Sequence, residues 1–267
     1  MYLEYWGLKE FPFENVPNPK FTYYSAEFEE ALIRLLYAVE RKKGTVLLTG
    51  EVGCGKTTLS RVFIQRLSEN RSDISLITNP SLDPYDFLKE ILYQFGLNPG
   101  PISSKSDLLN LLNMRMLENV RADRNSILII DEAQVISKET FEEVRLLLNF
   151  QMNDRFLLTL ILIGQPELRD IIREIKQLDQ RIAIKYHLSP LSAGDSARYI
   201  LTRLKVAGAS RKIFTASAFD EIHRHSLGIP RKINNICDMS LMIGFVAKAK
   251  VIDTDVVQNA IKDLYQS

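Results

Sequence analysis

The run TVLLTG at 45–50 passes without a break into EVGCGKTT at 51–58, and no other stretch restricts the fold as much. An apolar run ahead of a glycine cluster reads as a buried strand. Gly50, Gly53 and Gly55 fall within six positions and are followed at once by Lys56, Thr57 and Thr58, where a helix is expected. Strand, tight loop and helix in that order commit the chain to an α/β architecture. The glycines let the backbone turn where a Cβ would clash and bring successive N–H groups toward one point. The following helix aims the positive end of its dipole at the same place. Such a geometry binds an anion.

Gly50, four further residues, Gly55, Lys56 and Thr57 match the P-loop pattern, in which the lysine reaches the β- and γ-phosphates and the threonine hydroxyl sits on Mg²⁺. Gly50, Gly53, Cys54, Gly55, Lys56, Thr57 and Thr58 are therefore the expected phosphate-binding residues, Cys54 being a small residue that fits a variable position. The competing reading is a glycine-rich turn with an ordinary surface lysine. It leaves unexplained why strand and helix stand where the motif requires them. ILIIDEAQ at 127–134 supplies a second half: four apolar residues end in two carboxylates at the C-terminal edge of a strand, where ligands of parallel sheets bind. Asp131 is expected to hold Mg²⁺ through its water shell and Glu132 to orient and polarise the attacking water. Taken alone, the pair also suits a solvated acidic turn. Beside the P-loop, two adjacent carboxylates favour ATP hydrolysis over nucleotide carriage.

At 267 residues the chain exceeds the usual size of one domain. Hydrophobic residues at 46% and charged residues at 25% exclude a disordered or fibrous chain, and a net charge of +1 gives no strong field to draw nucleic acid or a membrane. Cys54 and Cys237 are the only cysteines and have no zinc spacing, which fits a reducing compartment. The opening MYLEYWGLKEFPF lacks a signal pattern, and FLLTLILIG is too short to cross a bilayer as a helix. The chain as given is expected to be soluble and cytoplasmic.

Further strands are expected in DISLITN (73–79), SILIIDE (126–132), LLTLILIG (157–164) and IAIKYHLS (182–189). Helices are expected from Phe28 with Ser25 as cap, from Asp83-Pro84 to Phe95, over 106–121 and over 138–150. Nearly all-apolar strands separated by helices imply a parallel sheet covered on both faces. After Leu191 the pattern changes to four amphipathic helices near 193–206, 215–226, 230–247 and 254–264, with eleven Lys/Arg against seven Asp/Glu. The expected division is an α/β core over 1–190 and a mildly basic helical domain over 191–267. Residues 1–24 carry eight of the 24 aromatics, interleaved with Pro12, Pro17 and Pro19. They are expected to form no regular helix and to strap onto the domain behind them.

Three later residues complete the candidate site. Gln165 directly follows the strand LLTLILIG and stands beside Glu132 if that strand neighbours the one ending at Asp131; a loop amide before Pro166 is the alternative. Arg181, just before the last strand, can project to a neighbouring subunit, with Arg169 and Arg173 as competitors and a surface ion pair as the plainer role. Arg231, in GIPRKIN, follows a helix end at Gly228 and a helix start at Pro230, so it can point back at phosphate; with Lys232 it also suits an exposed basic turn. His223 and His225 lie two apart on one helix and face different ways, which argues against a metal site with Cys237.

GEVGCGKTT, LIIDEAQ, LILIGQPEL, LDQRIAIKYHLSPL and GIPRKIN occur in the order seen in AAA+ ATPases. With the opening YWGLKEFPFENVPNPKFTYYS, the chain resembles the ExeA/GspA group of general secretion pathway ATPases over residues 1–264. The resemblance implies a five-stranded parallel sheet of order 5-1-4-3-2 with a C-terminal all-helical lid. It makes Gln165 sensor 1, Arg181 the arginine finger and Arg231 sensor 2. It places an adenine pocket around Val16, Pro17 and Tyr24, with Ile233 from the lid; core strapping is the other use for those residues. ATP and Mg²⁺ are the implied cofactors. The implied partners are further copies of the chain, associating with nucleotide, and a protein of the inner membrane or secretion system, which would hold the chain at the inner face of the cytoplasmic membrane. Members of the group often continue into a membrane helix and an envelope-binding domain. The related MuB- and TniB-type transposition ATPases share the core and bind DNA as oligomers, which with Arg211-Lys212 and Arg231-Lys232 keeps an ATP-dependent DNA-binding module as the second reading. A small-molecule kinase fits less well, because Asp131 and Glu132 suit water as acceptor.

Overall fold

Five strands form a single parallel sheet in the computed structural model of this chain, which describes residues 2–68, 71–100, 104–153 and 155–265. They are β1 Thr45–Gly50, β2 Ser72–Ile77, β3 Asn125–Ile130, β4 Leu158–Gly164 and β5 Ile182–Leu188, in the order β2-β3-β4-β1-β5. This is the expected order, met from its other end. All pairings are parallel, with Thr49 opposite Gly164 and Gly50 opposite Leu188 at the C-terminal edge. β1 and β4 are buried along their whole length, as unbroken apolar strands of a doubly covered sheet should be.

The helices are α1 Tyr2–Trp6, α2 Ala26–Glu40, α3 Lys56–Ser68, α4 Pro84–Gln94, α5 Lys105–Arg121, α6 Lys138–Leu147, α7 Leu168–Glu174, α8 Lys176–Asp179, α9 Ala193–Val206, α10 Ala216–Ser226, α11 Pro230–Val246 and α12 Thr254–Tyr265. Local chemistry sets several starts. The Ser25 hydroxyl accepts from the Phe28 amide at 3.2 Å, and Asp83 accepts from the amides of Tyr85 and Asp86 ahead of Pro84.

Two compact units emerge from the contacts. One comprises Glu30–Gly50 and Leu59–Leu188 and holds the sheet. Its core sets Leu47, Leu128, Ile130, Leu160 and Leu162 against Phe87 and Leu88 of α4, Leu112 of α5 and Phe141 of α6. Burying such side chains stabilises by about 1.5–3 kcal/mol each relative to exposure.

The other unit comprises Met1–Glu29, Glu51–Thr58 and Ser189–Ser267. The expectation for residues 1–24 needs correcting twice. Tyr2–Trp6 is helical, because the first proline stands only at position 12. The rings join the core of the C-terminal helices: Tyr2, Trp6, Phe13 and Phe21 are buried with Tyr199, Phe214, Ile222, Ile233 and Leu241. Amphipathic helices leave an apolar face to cover, and these aromatics cover it. Polar tips are satisfied on the way. Trp6 Nε1 donates to the Leu241 carbonyl at 2.9 Å, Tyr23 donates to Asp195 at 2.7 Å and Arg203 donates to the Glu14 carbonyl at 2.9 Å. The Ser192 hydroxyl, Arg198 and Tyr23 together hold the Asp195 carboxyl down to about 2. Gly244 in α11 leaves room for the indole; a Cβ there would stand 2.9 Å from Trp6.

Candidate active site

The glycine loop is shaped by two left-handed residues, Gly53 at φ +85° and Gly55 at φ +99°. Gly53 also lacks space: a Cβ would lie 2.8 Å from the Arg231 Cβ and 3.2 Å from the Ile229 side chain. The Arg231 amide donates to the Gly53 carbonyl at 3.3 Å, so the first turn of α11 is seated on the loop. Arg231 itself is exposed. Its approach is fixed from behind by Gly228, at φ +74°, where a Cβ would fall 2.0 Å from the Leu191 carbonyl oxygen. Lys56 is only 6% exposed, and its ammonium donates to the Glu51 carbonyl at 3.1 Å. Thr57 and Thr58 follow, half-buried, in the first turn of α3. Cys54 is buried with its amide on the Glu51 carbonyl, and burial pushes its thiol up, away from reactivity.

In the sheet unit, β3 and β4 are neighbours, so the residues that follow them meet. Asp131, 5% exposed, donates its amide to the Ile77 carbonyl at 2.9 Å and accepts from the Glu132 amide at 2.9 Å. Glu132 stands in the left-handed region at φ 52°, ψ 37°, a conformation that costs a non-glycine residue on the order of 1–2 kcal/mol. Its Oε2 accepts from Gln134 Nε2 at 2.6 Å and, more weakly, from Gln165 Nε2 at 3.5 Å. The Gln165 amide donates to Gln134 Oε1 at 3.1 Å. Glu132 and Gln165 are thus brought together as their positions suggested. Gln134 is the residue the sequence reading passed over.

The three arginines separate cleanly. Arg169 donates from Nε to the Thr49 hydroxyl at 3.0 Å, one residue before Gly50. Arg173 pairs with Asp170 at 2.9 Å on an exposed helix face. Arg181 immediately precedes β5 at the N-terminal edge of the sheet, where Ile182 pairs with Thr45. Seven residues of parallel strand put it about 20 Å from the edge that carries Gly50. The chain does not bring Arg181 to its own Glu132, and Nη1 of this arginine is buried with no hydrogen-bond partner among the described residues.

In the helical unit a cavity of about 510 Å³ is lined by Phe13, Val16, Pro17, Asn235, Asp238 and Met239, among others. Of the expected adenine walls, Val16 and Pro17 line it. Ile233 lies inside the aromatic core, and Tyr24 packs edge-on against Phe28. Among the described residues no cluster of three or more His, Cys, Asp or Glu could hold a metal, and no helix is long and apolar enough to cross a membrane.

A parallel sheet of this order, a P-loop at the end of β1 and a carboxylate pair at the end of β3 define a nucleotide-binding ATPase. The chain belongs to the AAA domain family, whose model matches residues 39–172, and is an AAA+ ATPase of the general secretion pathway protein A type. It is 42% identical over 259 residues to General secretion pathway protein A of Aeromonas hydrophila, covering 96% of this chain and 47% of that protein. The chain spans about half the length of the curated relatives it matches. Among solved structures it is similar to Cdc6p of Pyrobaculum aerophilum, with a TM-score of 0.71, 17% identity and coverage of 91% and 70% of the two chains. It is also similar to the RuvB branch migration motor of Thermotoga maritima, with a TM-score of 0.58, 22% identity and coverage of 88% and 69%. Likenesses at such identities show the fold alone.

Proposed function

We propose that the chain hydrolyses ATP in sites shared between copies of itself and uses the cycle to assemble or remodel a secretion or envelope export complex. The loop amides and Lys56 hold the triphosphate, with Gly50, Gly53, Cys54, Gly55, Thr57 and Thr58 forming the cradle. Arg231, seated on the same loop, touches phosphate from the lid. Asn235 lies one helical turn, about 6 Å, further along α11, so the cavity it lines with Val16 and Pro17 is suited to the adenine. Thr57 and Asp131 offer a hydroxyl and a carboxylate, the hard oxygen donors that suit Mg²⁺; they would hold that ion, Asp131 through its water shell, and it would supply positive charge against the triphosphate. Glu132 positions a water. The water oxygen bonds to the γ-phosphorus as the bond from that phosphorus to the β–γ bridging oxygen breaks, leaving ADP and inorganic phosphate. The proton lost by the water passes to the Glu132 carboxylate.

The observation that carries the shared-site reading is Arg181. It immediately precedes β5, on the opposite edge of the sheet from Glu132, and is only half-buried, so it is placed to serve the site of another copy and not its own. The expected result is nucleotide-gated association: light scattering in magnesium buffer should give a larger mass with a non-hydrolysable ATP analogue than with ADP. Equal masses across a wide protein concentration range would reject shared sites. The secretion role follows the name of the Aeromonas hydrophila relative, and the partner proposed for this chain is a protein of the secretion system at the inner face of the cytoplasmic membrane. Duplex DNA gains no support from structures that share only the fold.

A further inference from the structure

Gln134 occupies the short 3₁₀ turn Ala133–Val135 that begins directly after the left-handed Glu132. That reversal folds its side chain back along the segment it came from. The amide then makes two bonds that constrain each other. The Gln165 backbone N–H can only donate, so the Gln134 atom 3.1 Å away must be the carbonyl Oε1. The NH₂ group is therefore the one turned to the Glu132 carboxylate, at 2.6 Å. A hydrogen bond to an ionised acceptor is among the stronger ones available to a neutral side chain.

Space for this amide is made across the sheet. Gly164, the last residue of β4, is not among the glycines with positive φ, so its backbone does not call for glycine. What calls for glycine is volume. A Cβ at this position would stand 2.6 Å from Gln134 Oε1 and 2.7 Å from the Leu168 side chain. Glutamate at 134 would set carboxylate against carboxylate, asparagine would fall short by a methylene, and an aliphatic residue would offer neither bond. Among the described residues the Glu132 carboxylate is engaged through Oε2 alone, by Gln134 and Gln165.

We infer that Gln134 is a positioning residue for hydrolysis. It clamps one oxygen of Glu132 to the end of β4, and so reserves Oε1 as the oxygen that receives the proton of the attacking water. It also couples the base to Gln165, since one amide holds the backbone of one and the carboxylate of the other. This inference rests on the assignment of Glu132 as the base. Loss of the clamp lets the carboxylate rotate away from the water without touching the nucleotide cradle, and misplacement by about 1 Å can cost around 100-fold in rate.

The test is Gln134→Met, which fills the same length without donor or acceptor. Phosphate release by the full chain should fall about 10- to 100-fold at saturating ATP, while the Kd of a fluorescent ATP analogue stays within about twofold. Gln134→Asn should show the same separation, and its thermal midpoint, measured beside that of the parent, excludes a folding defect. In a Glu132→Gln background, Gln134→Met should cause no further loss. Parent turnover in Gln134→Met, an equal loss of nucleotide affinity, or a fully additive loss in the double variant would each overturn the clamp. Undiminished turnover in Glu132→Gln alone would instead remove Glu132 as base, a separate failure that is read before the clamp is judged.

Discussion

Glu132→Gln is expected to bind ATP within about threefold of the parent and to lose at least about 100-fold in turnover, the usual worth of a positioned proton acceptor. The substitution keeps the side chain's length and can keep the hydrogen bond from Gln134, so the local structure at the end of β3 should survive. What it removes is the ability to take a proton from water at neutral pH. Residues of the cradle, Lys56 foremost, are untouched, which is why binding and turnover should separate. Phosphate release and nucleotide affinity measured on one preparation make the check. Turnover at the parent level would show that some other group accepts the proton.

Arg181→Ala is expected to reduce hydrolysis by about a thousandfold or more if this arginine stabilises the transition state of a neighbour's site. Geometry makes this effect diagnostic, because about 20 Å of β5 separates Arg181 from the acidic edge of its own sheet. Two inactive variants should then repair each other. Arg181→Ala retains Glu132, Glu132→Gln retains Arg181, and a random equal mixture contains about a quarter of interfaces with both groups intact. Phosphate release by the mixture should approach that fraction of the parent rate. Failure at every mixing ratio would mean that the finger is not supplied across an interface.

The parts of the site legible in the sequence are those whose chemistry is local. Gly50 to Thr58 announces itself because glycine, lysine and threonine must follow a strand at fixed spacing. Asp131 and Glu132 do so only beside that loop, since two carboxylates at the end of an apolar strand also suit a solvated acidic turn. Gln165 was legible one step later, since sheet order alone decides whether it meets Glu132. Gln134 was not, because its role depends on the left-handed turn at Glu132 and on the cleared space at Gly164, thirty residues on. Its only trace is a glutamine in DEAQ together with a glycine closing LILIG. The aromatic opening shows the same limit at longer range. Its need to be buried could be read from Tyr2, Trp6 and Phe13, but the surface that buries them is built by helices some two hundred residues downstream. Arg169, Arg173 and Arg181 looked alike in sequence. Burial and strand position set them apart.

The central claim is that the loop at 51–58 captures a triphosphate through its amides and the Lys56 ammonium. Retention of labelled ATP in magnesium buffer tests it most directly. Purified chain should hold about one ATP per copy with saturable affinity, and Lys56→Ala, folded to the same thermal midpoint, should hold almost none. Absence of retention by the parent chain, or retention undiminished in Lys56→Ala, would contradict the account.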